Sequence, residues 1–153
     1  MSSQYRPKLP LTVEEKSRIK SCKTKLADIH TLEEEQLVEI FAGNIERAKY
    51  IKGLVIFQQI PSIGYKLADV LVDNLRVYSL EEIKNENAMS LFDRLEEQLG
   101  YQIDPCVEDQ IRCVIYYANH SNSSKQWFDF TEERKHERKQ LGYPESRPNN
   151  NSY

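Results

Sequence analysis

The sequence has no apolar run of 18 residues and no basic, then apolar leader that ends in small residues. The first absence argues against a membrane span and the second against a secretory signal peptide. It has only three cysteines, Cys22, Cys106 and Cys113, and none forms a C-x-x-C pair. Cys106 and Cys113 are seven residues apart, about 10 Å along a helix, which is too far for a disulfide. We therefore expect a soluble, cytoplasmic protein with reduced thiols.

Histidine and β-strand patterns are also scarce. The three histidines are scattered and contain no His-x-x-x-His pair, so we expect no zinc or di-iron site and no cofactor held by one. No stretch alternates apolar and polar residues over the length of a strand between hairpin turns, whereas helical spacing recurs throughout. The sequence therefore predicts an all-α, compact multi-helix domain.

Local signals divide the chain into four parts. We expect a flexible arm over residues 1–11, N-terminal helices over 12–43, a core domain over 44–130 and a polar, largely disordered tail over 131–153. The strongest helix signals are the capping boxes Thr12–Glu15, Thr31–Glu34 and Ser79–Glu82, the Gly43-Asn44 boundary, the stop at Gly100 and the start at Asp104-Pro105.

Charge is unevenly distributed along a chain whose net charge is −3. Residues 1–25 contain seven Lys/Arg and two Glu, whereas residues 81–110 contain nine acidic and two basic side chains. The N-terminal lysines fit either a solubilising face or a nucleic-acid footprint, and the sequence leaves both interpretations open.

The chain is organised around the stretch from Ile60 to Ala68. Pro61 should end the incoming helix, since proline lacks an amide hydrogen and favours an extended conformation in the residue before it. Gly64 permits a close approach of the backbone to a ligand, and Lys66 lies in the first turn of the next helix. Such a turn can hold a phosphate, or it can simply connect two core helices.

This stretch resembles the helix-hairpin-helix class of DNA-binding modules (a SAM/helix-hairpin-helix-like fold). The resemblance implies contact with the DNA backbone, without base reading, by Pro61, Ser62, Ile63 and Gly64, with Lys66 beside them. It also implies a site for a monovalent cation on the hairpin carbonyls. The class usually has glycine at the position of Ser62, where serine restricts φ.

Three further motifs resemble a small bacterial family named for a pathogenicity locus, some of whose members are labelled mitomycin-resistance proteins. They are residues 104–107 (DPCV), 112–118 (RCVIYYA) and 127–130 (WFDF), and the resemblance covers roughly residues 54–135. It implies an all-helical fold and a link to DNA, and it brings no catalytic residues.

Several other side chains are of types that carry chemistry in DNA-binding proteins and enzymes. Asp93 and Lys84 lie downstream of the hairpin, as the catalytic groups of base-flipping glycosylases do, but the chain lacks room for the second subdomain of such enzymes. Cys106 fits either a reactive thiol at a helix start or a small buried residue. Trp127 and Phe128, like Tyr116 and Tyr117, fit either base stacking or core packing.

The expected function is non-enzymatic, sequence-independent binding of the DNA backbone, in repair or damage tolerance. The alternative is a helical protein–protein interaction module without nucleic-acid binding, which the acidic composition favours.

Overall fold

The computed structural model describes residues 5–151, and the prediction of an all-α fold is confirmed. Within that range the regular structure is helical, apart from an isolated bridge between Gln102 and Asn151. The α-helices are α1 (Val13–Ser21), α2 (Glu34–Ile40), α3 (Ile45–Gln58), α4 (Tyr65–Asp69), α5 (Leu80–Ile83), α6 (Ala88–Leu99), α7 (Cys106–Asn119) and α8 (Thr131–Leu141). The segments Leu26–Thr31 and Trp127–Phe130 are 3-10 turns, and a π-turn, Val70–Asn74, continues α4.

Side-chain caps begin several of these helices as predicted. Thr12 accepts a hydrogen bond from the backbone N–H of Glu15 and completes a capping box at α1. Asn44 and Ser79 cap α3 and α5 in the same way, each through the amide three residues on. Gly100 ends α6 with a φ of +80°, in the left-handed region that glycine adopts at little cost.

The N-terminal helices differ from the prediction in two places. Ile19, Cys22, Leu26 and Ile29 recur at helical spacing, which predicts one continuous helix. Helix α1 instead ends at Ser21, and Leu26 and Ile29 lie in the 3-10 turn that follows. The predicted Thr31–Glu34 capping box is wrong, because Glu33 and Gln36 form the box at α2. The Thr31 hydroxyl instead donates to the carbonyl of Asp28, an i to i−3 bond that closes the preceding turn.

Helix α3 lies at the centre of the core. Ile51, Leu54 and Phe57 are completely buried on it. Its one glycine, Gly53, allows the π-turn to pack closely, because a Cβ there would lie 2.8 Å from the side chain of Val72. Helix α3 packs on the turn before α2 and on α4, while α6 packs on α7. The C-terminal end of α3 leads directly into the turn that the sequence singled out.

Both ends of the described range lie against the core, which differs from the flexible arm and disordered tail expected from composition. The Tyr5 hydroxyl donates to the carbonyl of Val55 at 2.6 Å. At the other end, Arg138 of α8 binds the buried carboxylate of Glu108, and Arg147 binds Glu96 at 2.7 Å. The first four residues of the predicted arm and the last two of the predicted tail lie outside the described residues.

No helix within residues 5–151 is both long enough and apolar enough to cross a membrane.

Candidate nucleic-acid interface

Six residues, 59–64, connect α3 to α4, and two buried isoleucines hold them to the core. Ile60 and Ile63 are 1% and 4% exposed. The backbone N–H of Ile63 donates to the carbonyl of Ile60 at 3.0 Å, which closes the turn around Pro61 and Ser62. Because both isoleucines point into the core, Ser62 and Gly64 lie at the surface.

Ser62 occupies the position where the helix-hairpin-helix class usually has glycine, and it adopts a φ of +66°. This left-handed conformation costs a residue with a Cβ about 1–2 kcal/mol. Its hydroxyl oxygen accepts a hydrogen bond of 2.9 Å from the backbone N–H of Trp127. This contact offsets the strain and turns the serine side chain toward its own chain. The turn therefore presents backbone, rather than the serine hydroxyl, to the outside.

Neither the backbone conformation nor the packing of the described residues requires glycine at position 64. Its φ of −104° and ψ of −168° are open to any residue, and a Cβ built on it would meet no atom within 4 Å. It precedes α4 and supplies no side-chain cap for that helix. A missing side chain at an exposed, unstrained position leaves room for a ligand to approach the backbone.

Lys66 lies one residue into α4 and is exposed. It forms no ion pair with another residue of 5–151. Its charge is therefore free to act on an external anion. The turn, Gly64 and Lys66 lie together at the surface, and this local cluster is the candidate interface.

The aromatic side chains separate into two groups. Phe130 is buried, while Tyr116 stacks on His120 with ring centroids 4.0 Å apart. Phe128 is 53% exposed and packs edge-on against Trp127, the residue whose amide binds Ser62. The sequence did not reveal this tie between the hairpin and the 127–130 turn, because the bond joins residues 65 positions apart.

Four of the nine acidic side chains at residues 81–110 form ion pairs within residues 5–151, and the other five are exposed. Glu96, Glu108 and Asp109 are buried. Each binds an arginine from α7, α8 or the segment after α8. The side chain of Asp93 is 23% exposed and binds Arg138 at 2.9 Å. These carboxylates hold the C-terminal helices in place.

The thiol of Cys106 is unsuited to nucleophilic chemistry near neutral pH. Burial, reinforced by a hydrogen bond with Asp104, raises the pKa of Cys106 to about 11, against the lowering that a helix start alone would give. Burial likewise raises the pKa of Cys113 to about 11. Within residues 5–151, no group of three or more His, Cys, Asp or Glu side chains is placed to hold a metal ion.

A family model described as Cdd1, pathogenicity locus, matches residues 50–136, which is more than half of the chain. No curated protein and no solved structure matches this chain. The matched range begins within α3, contains the whole hairpin and the Trp127 tie, and ends within α8.

Proposed function

The chain belongs to the pathogenicity-locus family, and we propose that it binds the DNA backbone through the turn between α3 and α4, which acts as a helix-hairpin-helix. The observation that carries the proposal is Gly64. It is exposed, unstrained and unobstructed, and it is followed by the unpaired Lys66. A phosphate oxygen can approach the backbone there while the lysine supplies charge.

Binding of this kind does not read sequence. Phosphates are the same at every nucleotide, so contacts from Gly64 and Lys66 position the protein without carrying base information. The hairpin is held from behind by Ile60 and Ile63, so its backbone is already ordered before a ligand arrives. The proposed activity is therefore DNA binding without catalysis. We place it in DNA repair or damage tolerance, in the cytoplasm.

The proposal includes the monovalent cation that the resemblance implies on the hairpin carbonyls. The carbonyls of Ile60 and Gly64 each accept a hydrogen bond from the chain. Within the described residues, no backbone amide donates to the carbonyls of Pro61, Ser62 or Ile63. Those three oxygens would hold the ion, which when bound would add positive charge beside the phosphate.

The acidic side chains of residues 81–110 act on DNA binding in opposite ways. Glu96, Glu108 and Asp109 are buried in ion pairs with arginine, so their charges repel phosphate little. The other acids of the block are mostly exposed and favour the protein-interaction alternative, which the DNA titration tests.

The test is a titration of fluorescently labelled duplex, single-stranded and branched DNA at several salt concentrations. Wild type should bind, with a slope of log K against log salt of about −0.9 for each duplex phosphate neutralised. Lys66→Glu should weaken binding to all duplex sequences alike, whereas Lys139→Glu, the same charge reversal at an exposed position on α8, should leave it unchanged.

Gly64→Ala separates the site from the fold. The substitution meets no atom of the chain, so we expect it to change the free energy of unfolding by about 0.5 kcal/mol or less, as the lost cap preference offsets the gain in the unfolded state. It should nevertheless weaken DNA binding. The proposal fails if wild type binds no form of DNA at low salt, or if both hairpin variants bind as tightly as Lys139→Glu.

A further inference from the structure

The N-terminal region contains two adjoining clefts whose charged lining is entirely basic. They have volumes of about 570 Å³ and 430 Å³ and share Arg6, Lys16 and Leu26. No carboxylate lines either cleft within the described residues. We call the surface that they form the N-terminal basic groove, and its cations are Arg6, Lys8, Lys16, Lys20 and Lys25.

The charges of the groove are not neutralised by the chain itself. None of its five cations forms an ion pair with another residue of 5–151. The neighbouring Glu15 is 7% exposed and binds Arg47 through two hydrogen bonds of 2.9 and 3.0 Å. That contact holds the pKa of Glu15 below its usual value. The Glu15 carboxylate is therefore paired with Arg47 and not with the lysines of α1.

The groove adjoins both sides of the hairpin. Tyr65, which directly follows Gly64, lines the larger cleft. On the other side, the last residue of α3, Gln58, exchanges two hydrogen bonds with the backbone of Lys8, at 2.9 and 2.8 Å. The next residue, Gln59, donates to the carbonyl of Ala27, which lines the second cleft. The groove is therefore fixed to the same end of α3 as the candidate interface.

We infer that the N-terminal basic groove is a second contact for the DNA backbone, continuous with the hairpin. This inference rests on the proposed function and extends it to a part of the chain that precedes the family match at residue 50. A group of unpaired cations fits a polyphosphate, since duplex DNA carries a negative charge about every 1.7 Å along its axis and each neutralised phosphate releases counterions. Lys16 and Lys20, one helical turn apart on α1, present two of these charges side by side.

The test compares two double charge reversals of equal size. Lys16→Glu/Lys20→Glu alters the groove, and Lys135→Glu/Lys139→Glu places the same i, i+4 change on the exposed side of α8. We expect the groove variant to bind labelled duplex at least tenfold more weakly at low salt, with a salt slope shallower by about 2, while the control keeps the wild-type slope. Circular dichroism will show whether the charge reversal disturbs folding. If it does, Lys16→Gln/Lys20→Gln replaces it and should show the same decrease in the salt slope.

The outcomes distinguish the groove from the hairpin. If the groove variants bind like the α8 control while Lys66→Glu weakens binding, the inference is overturned and the hairpin proposal stands. If the groove variants lose binding while Lys66→Glu and Gly64→Ala do not, the hairpin proposal falls and the groove remains. Failure of wild type to bind any DNA, or its capture of an acidic peptide in preference to DNA, overturns both.

Discussion

Arg138 should be the most sensitive side chain of the C-terminal region. Its side chain is 5% exposed and lies on α8 between Glu108 and Asp93, with hydrogen bonds of 2.9 Å to each. It also donates to the carbonyl of Gly142 at 3.0 Å, which fastens the end of its own helix. Replacing it with methionine keeps most of the side-chain volume but removes every one of these donors.

The expected loss of stability depends on the carboxylates that Arg138→Met would leave without this partner. Breaking a buried ion pair by deleting one partner costs about 3–5 kcal/mol, because the other charge stays buried. Here Glu108, which is completely buried, keeps Arg112 as a second partner at 3.1 Å. We therefore expect Arg138→Met to lower the free energy of unfolding by a smaller amount, about 2–4 kcal/mol.

Urea unfolding followed by far-ultraviolet circular dichroism measures this difference directly. Lys139→Met is the matched control, since it makes the same kind of change at the adjacent exposed position and should cost about 0.5 kcal/mol or less. A double-mutant cycle with Glu108→Gln should give a coupling of about 0.5–3 kcal/mol. If Arg138→Met and Lys139→Met differ by under 1 kcal/mol, the ion pairs do not hold α8 in place and the reasoning is refuted.

Three other predictions concern packing, thiols and pH. Gly53→Ala should lower the melting temperature, because overpacking against Val72 costs about 1–3 kcal/mol, more than the roughly 1 kcal/mol that alanine gains in a helix. Ellman's reagent at pH 8 should modify only the exposed Cys22 in the folded protein and all three thiols in urea, since burial raises the pKa of the other two to about 11. Hydrogen bonding to Arg112 lowers the pKa of Glu137 in the folded state, so its contribution is complete above the unfolded pKa of about 4.3 and is lost as the pH falls further. Melting curves of Glu137→Gln should accordingly depend less on pH between about 5 and 3 than those of wild type.

The features that the sequence predicted correctly are those set by near neighbours. A cap such as Asn44 and a stop such as Gly100 act within three or four residues, so the bounds of α3 and α6 could be read from local signals. The Thr31–Glu34 box failed for the same reason, because Glu33 and Gln36 compete for the same helix start two residues on. Local patterns identify a helix more surely than they choose between adjacent caps.

The features that the sequence missed depend on distant partners. A polar, proline-containing tail satisfies every local criterion for disorder, yet Arg147 binds Glu96 across 51 positions. Ser62 likewise looked like a departure from the helix-hairpin-helix pattern. Its bond to Trp127, 65 positions away, gives the serine a role that no local pattern contains. Candidate hairpin residues could therefore be predicted from the sequence, but not what supports them.

The hairpin is supported from two directions, and this bears on how it could act. The Lys8–Gln58 exchange ties the N-terminal segment to the end of α3, and the Ser62–Trp127 bond ties the turn to the region before α8. A turn held on both sides loses little further freedom on binding, so even a few phosphate contacts can yield measurable affinity. The first tie involves residues before the family match and the second lies within it. If the N-terminal basic groove contacts DNA, the first tie also joins the two contacts into one surface, so that disrupting it with Gln58→Ala would weaken DNA binding without removing any charge.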